Sequence, residues 1–209
     1  MVWDGDDTNK KDNLAFAKYV EGYKTVYFLN NWNWTTPKYN YMGVTLDMKY
    51  VKQEGTYKTY SFTVPNFVTE FKVLGNSEES VNITSVTDGA TYCMYYTNNQ
   101  KQFVECIKLY LKPNSNWTQS SAWFSARIWN NDGDAWFKMN SAGNGYYYCY
   151  VPQGYSNVIF CRMNSANTST YTWDNVWNQT SDLTFSASSN CYTITGSSWS
   201  YGSGTWSTK

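Results

Sequence analysis

The chain has 209 residues, enough for one domain or for two of roughly 100 each. Sixteen basic side chains balance sixteen acidic ones, so no electrostatic footprint for nucleic acid or anionic lipid exists, and the partners expected are neutral. Histidine is absent, which removes the commonest general base and the commonest metal ligand together. Aromatics make up 20% of the chain, with 11 Trp and 20 Tyr. Together with abundant Thr, Ser and Asn this is the composition of strands and turns.

Residues 1–22 read as a linker or a short helix. Met1 leads into Asp4, Asp6 and Asp7 rather than into a basic and apolar signal peptide, and Asp12 could cap a helix through Leu14 and Ala17 that ends at Gly22. Such a start suits a part of a longer polypeptide. No later run approaches the ~20 apolar residues of a membrane helix, so no membrane insertion is expected.

From Tyr23 on, the chain repeats itself. Val26-Tyr27-Phe28-Leu29 aligns with Leu109-Tyr110-Leu111-Lys112, and Asn33-Trp34-Thr35 with Asn116-Trp117-Thr118. Tyr60 to Pro65 aligns with Tyr147 to Pro152, Phe67 to Val73 with Tyr155 to Cys161, and the segment around Cys93 with that around Cys191. Alternating residues such as Tyr60, Phe62 and Val64, or Tyr147, Cys149 and Val151, share one face of a strand. Turn signals such as Asp88-Gly89 and Gly143-Asn144-Gly145 separate the strands. The expectation is an all-β chain of two consecutive β-sandwich, immunoglobulin-like domains, 23–106 and 107–195. Almost no linker lies between them near Gln100-Lys101-Gln102. The Ser/Gly-rich tail 196–209, with Trp199, Tyr201 and Trp206, either adds a strand or hangs free.

The five cysteines lack zinc spacing, and most lie in apolar runs, so buried free thiols are expected. No pair of carboxylates, nucleophile elbow or phosphate loop stands out, so no enzyme activity and no cofactor are expected. Asp132 and Asp134 could hold calcium through the turn Asn131-Asp132-Gly133-Asp134, but a hairpin needing Asp-Gly explains the same residues.

The tryptophans carry the functional signal. Trp34 and Trp117 occur in both copies and read as core. Trp129 and Trp136 flank a turn and are missing from the first copy, so they are expected to be exposed side by side. The run Trp173-Asp174-Asn175-Val176-Trp177-Asn178-Gln179 is likewise private to the second copy. Flat indoles suit the C–H face of a pyranose, and Arg127, Asn178 and Gln179 suit its hydroxyl rim. The first copy offers Trp32, Tyr39 and Tyr41 as a possible second site.

Those same residues carry a resemblance. Leu109-Tyr110-Leu111-Lys112-Pro113, Trp129 seven places before Trp136, Val158 to Asn164 and Trp173 to Thr180 resemble the family-26 carbohydrate-binding modules over about 90 residues. The resemblance implies a starch-binding β-sandwich that recognises α-1,4-glucan and maltooligosaccharides through an aromatic pair, here Trp129 and Trp136. It implies a secreted or cell-surface bacterial protein, monomeric within a longer chain. The alternative is a structural or adhesive β-domain pair that binds a protein partner through its exposed aromatics.

Overall fold

The computed structural model describes residues 22–209 except 98, 132, 198 and 200. The helix expected within residues 12–22 and the calcium ligand Asp132 lie outside the described residues. The described residues contain no α-helix; they form strands joined by turns and short 3-10 segments. The chain divides into two compact units, Met1–Phe103 and Val104–Lys209.

In the first unit β1 (Tyr23–Leu29), β2 (Lys38–Tyr41), β3 (Val44–Asp47), β4 (Lys49–Glu54), β5 (Tyr57–Pro65), β6 (Lys72–Gly75), β7 (Glu78–Glu79) and β8 (Thr91–Thr97) build two layers. One has the order β4-β5-β1-β8 and the other β3-β2-β6-β7. Alternate residues of both layers meet in one core that includes Val26, Phe28, Tyr39, Phe62, Val73 and Phe103. Period-two alternation is what lets each sheet hide one face and solvate the other. Trp34 is buried here, as its place in both copies predicts. A Cβ on Gly75 would stand 2.6 Å from its indole, so only glycine admits this close approach.

The second unit contains most of β9 (Gln100–Lys112), with β10 (Trp123–Asn130), β11 (Gly133–Lys138), β12 (Asn140–Gly143), β13 (Tyr146–Pro152), β14 (Asn157–Met163), β15 (Val176–Gln179), β16 (Leu183–Thr184), β17 (Cys191–Ile194) and β18 (Gly204–Ser207). β12, β13, β9, β17 and β18 form one layer, and β11, β10, β14, β15 and β16 the other. Between the layers Phe124 meets Tyr147 at 4.5 Å, and Phe160 stacks on Tyr192 at 5.8 Å. Trp117 is fully buried. The tail is a paired strand, because β18 runs antiparallel to β17 with Tyr192 opposite Trp206.

β1 pairs antiparallel with β5 and parallel with β8, and β9 does the same with β13 and β17. The register agrees with the sequence alignment across the first pair: Phe28 faces Tyr60, and Leu111 faces Tyr147. Elsewhere the alignment slips. Cys93 lies opposite Leu29 whereas Cys191 lies opposite Tyr110, which puts the two cysteines two residues out of step. Val73, in the first core, corresponds to the core-facing Phe160 rather than to Cys161, a slip of one residue. Such a slip exchanges the faces of a strand. All five cysteines are free thiols, four of them buried and Cys106 half-buried.

Candidate functional site

β10, β11 and β14 pair side by side, and alternation divides their side chains between two faces. Phe124, Ala126, Ile128, Val158 and Phe160 face inward, and all are completely buried. The outer face carries Trp123, Ser125, Arg127 and Trp129 on β10. Opposite Arg127 stands Trp136 and opposite Trp129 stands Asp134, while β14 presents Ile159, Cys161 and Met163 to the same side. Trp129 and Trp136 therefore flank the hairpin turn as diagonal neighbours on one face of the strand pair.

This outer face is not bare. Trp123, Ile159, Cys161 and Met163 form a second, smaller apolar cluster on which Trp129, Trp136, Tyr171 and Val176 pack. Trp129 and Trp136 are consequently half-buried rather than exposed, a correction whose cause is that second cluster. Burial pushes the Cys161 thiol up to about 12, although the nearby Arg127 charge opposes it.

The segment after β14 lies across this face. The Trp123 indole N–H donates to the carbonyls of Asn164 and Asn167, at 2.9 and 3.1 Å. The buried Asn175 amide donates to Asn167 O and Thr170 O, at 2.8 and 3.0 Å. With its backbone thus fixed, the segment sets Tyr171 edge-on against Trp123 (5.6 Å) and Trp173 against Trp136 (5.0 Å, 68°). Trp173 keeps 45% of its surface in solvent.

Arg127 stands at the centre. Its guanidinium carbon is 5.6 Å from the Trp129 ring and 5.3 Å from the Trp173 ring, within cation–π range. Its Nε donates to Asp134 Oδ2 at 2.9 Å. Sequence reasoning gave Arg127 to the ligand's hydroxyls; here one of its donors is spent holding the platform together.

The structure brings Arg127, Trp129, Trp136 and Trp173 together. Next to them is a groove of about 460 Å³ lined by Trp173, Val176, Trp177, Asn178, Gln179 and Tyr201. Gln179 faces Cys161 in the register and so shares the outer face, whereas Asn178 faces Arg162. Asn178 Oδ1 accepts from Arg162 Nη1 at 3.2 Å, which engages the acceptor that a sugar hydroxyl was expected to use.

Sequence reasoning missed Tyr171, Asp134 as the partner of Arg127, Tyr201 and Arg162. A signal existed for the last two. Arg162 is the one charged residue in the apolar run Val158–Met163, and Tyr201 is an aromatic in a Ser/Gly tail.

The first unit presents no such platform at the corresponding strand pair. Tyr39 is 7% exposed and lies 4.7 Å from Phe62, inside the core. Trp32 and Tyr41 are partly buried against that same core. The register gives the reason: Tyr39 pairs with Val73 as Ala126 pairs with Phe160, at an inward position. The outward residues of β2 and β3 are polar, with Lys38 bridged to Asp47 (3.1 Å) and Asn40 bonded to Thr45 (2.7 Å).

No family model matches the chain, and no curated protein sequence matches it. Among solved structures it is similar to a family-26 carbohydrate-binding module, CBMbc of Amy13K from Eubacterium rectale, crystallised with maltoheptaose. The identity is 13% and the TM-score 0.29, over 88% of this chain and 97% of that one. At that TM-score the likeness fixes neither fold nor function.

Proposed function

We propose that the outer face of β10, β11 and β14 binds starch-type α-1,4-glucan without catalysis, tethering a larger secreted or cell-surface bacterial protein to amylose, amylopectin or maltooligosaccharides. The observation that carries the reading is the gathering of Trp129, Trp136 and Trp173 around Arg127 on the solvent side of a sheet whose core is already complete on the other side. Indoles set at a steep angle match consecutive sugars of a curved chain better than those of a flat ribbon. Each stack contributes on the order of 1 kcal/mol beyond burial, by analogy with aromatic pairs. A few such contacts give an affinity in the roughly millimolar to micromolar range. The sequence resemblance to family-26 modules supports the same ligand.

The test is calorimetry with amylose, maltoheptaose, cellulose fragments and xylan, using the intact chain and its Trp129→Ala, Trp136→Ala and Trp173→Ala variants. Near-ultraviolet circular dichroism separates lost binding from lost packing, since two of these rings are half-buried. The expected result is binding of the α-1,4-glucans alone, weakened tenfold or more in folded variants (about 1.4 kcal/mol). Failure of every glucan to bind, or unchanged binding in all three variants, ends the reading.

The rival reading, a protein-binding module, draws on one feature of the first unit. Met42, Val44 and Leu46 are exposed on β3 and the turn before it, at a sheet edge. A protein partner there would leave the glucan titrations of the tryptophan variants untouched.

A further inference from the structure

The groove beside the tryptophan platform has features that the platform does not require. Its lining contains no charged residue: three aromatics, one valine and two amides surround it. Tyr201 is 66% exposed and Trp177 39% exposed, so both offer ring surface to solvent. Tyr201 comes from the tail, where its backbone bridges to Gln179.

Beneath Trp177 lies a buried cation. Arg162 is only 5% exposed, and burying a guanidinium is costly unless its donors are satisfied. Nε donates to Trp117 O at 2.8 Å, Nη2 to Gln119 O at 2.7 Å and Nη1 to Asn178 Oδ1 at 3.2 Å. Its plane is thereby locked, and the rings of Trp177 and Trp199 lie 4.7 and 5.0 Å from its central carbon. A register irregularity in β15 between the partners of Arg162 and Met163 gives Trp177 a place outside the regular ladder. An arginine fixed by three hydrogen bonds under two partly exposed tryptophans, next to amides and a projecting tyrosine, suits the construction of a binding surface.

We infer that Trp177 and Tyr201 form a second sugar-stacking subsite, positioned by Arg162 and joined to the Trp129–Trp136 platform through Trp173, so that this unit distinguishes long α-glucan chains from short ones. The inference rests on the platform being a glucan site. A neutral lining excludes recognition by charge, aromatic faces suit the pyranose ring, and the side-chain amide of Gln179 suits its hydroxyls. Trp173 lines the groove and also packs on Trp136, so a chain leaving the platform over Trp173 enters the groove without a break. Arg162 is a positioning residue: its donors are directed at protein atoms.

The test compares maltotriose with maltoheptaose by calorimetry on the intact chain. The wild type is expected to favour maltoheptaose. Tyr201→Ala shrinks that preference roughly fivefold, the effect of one aromatic stack, whereas Trp129→Ala weakens both sugars alike. Arg162→Lys keeps the charge but loses the plane, and is expected to shrink the preference as Tyr201→Ala does. Equal weakening of both sugars by Tyr201→Ala would merge the groove with the platform and overturn a separate subsite. A wild-type preference retained in Tyr201→Ala overturns the subsite while leaving the platform standing. Binding of neither sugar by the wild type overturns the platform and the subsite with it. A preference retained in Arg162→Lys removes Arg162 from its positioning role.

Discussion

Arg127 sits where four side chains need a centre. Its flat guanidinium lies near Trp129 and Trp173, and its Nε is tied to Asp134. Neither interaction is large. A partly exposed ion pair contributes about 0–1 kcal/mol, and a cation–π contact at such a site about 0.5–1 kcal/mol. Arg127→Gln should therefore cost the fold only about 1 kcal/mol in a denaturant titration. The same change frees Trp173 from its cationic neighbour, so glucan affinity should fall severalfold, out of proportion to the loss of stability. A variant that loses both equally, or neither, would show that the arginine does not organise the platform. The place of this residue among tryptophans was legible in the sequence, because a lone arginine in such a strand is conspicuous. Its role was not, since the partner Asp134 lies across a hairpin whose register composition cannot reveal. The sequence placed Asp134 in a turn and considered it for calcium; pairing brings it opposite Trp129 and within bonding distance of Arg127.

Among the elements, the tail shows most directly what pairing decides. Its Ser and Gly content left a strand and a free end equally open, and β18 pairs with β17 through four residue pairs, Cys191 with Ser207 to Ile194 with Gly204. Trp206 then reaches Tyr192 at 5.0 Å and Phe160 at 6.1 Å. Deletion of residues 196–209 should consequently lower the denaturant midpoint of the second unit, followed through its tryptophan fluorescence. Trp206→Ala alone should cost about 3 kcal/mol, at the low end for a buried tryptophan because this one is only half-buried. Gly202→Ala tests the same element differently, because a Cβ there would stand 2.7 Å from Trp117 and 2.9 Å from Ile194. Overpacking of this kind costs about 1–3 kcal/mol. An unchanged midpoint in all three variants would mean that the strand contributes nothing to the fold. The alternation that places Tyr60, Phe62 and Val64 together was read correctly from sequence, since period two needs no tertiary information. The pairing of Val73 with Cys161 was not. One residue of slip in an alignment of dissimilar strands is invisible to composition, yet it exchanges the faces of the strand.

For the whole molecule the distribution of titratable groups sets the pH response. With no histidine, no side chain of ordinary pKa changes charge between about pH 5 and 8, so stability should be flat across that range. The alkaline side differs. Burial pushes the Cys161 thiol up to about 12 and raises that of Cys149 further, while an unfolded thiol ionises near 8.5. A group whose folded pKa is raised lends stability that is complete below the unfolded pKa and is lost as pH climbs toward the folded one. Each of these thiols thus costs about 1.4 kcal/mol per pH unit above about 8.5, or about 2 kcal/mol at pH 10. Burial also raises Tyr39, Tyr171 and Tyr192, which extends the same trend above about pH 10. The guanidinium midpoint, measured with reductant present, should hold steady from pH 6 to 8 and fall clearly by pH 10. Replacing Cys149 and Cys161 together by alanine should flatten the descent between pH 8 and 10, even though the cavities lower the midpoint at every pH. A descent of undiminished slope in that double variant would assign the alkaline loss to other groups. Cys161 belongs to the apolar cluster on which Trp129 and Trp136 pack, so one thiol links the expected alkaline loss of stability to the proposed binding face. Glucan affinity should therefore hold at pH 9 wherever the fold holds, and decline only with it.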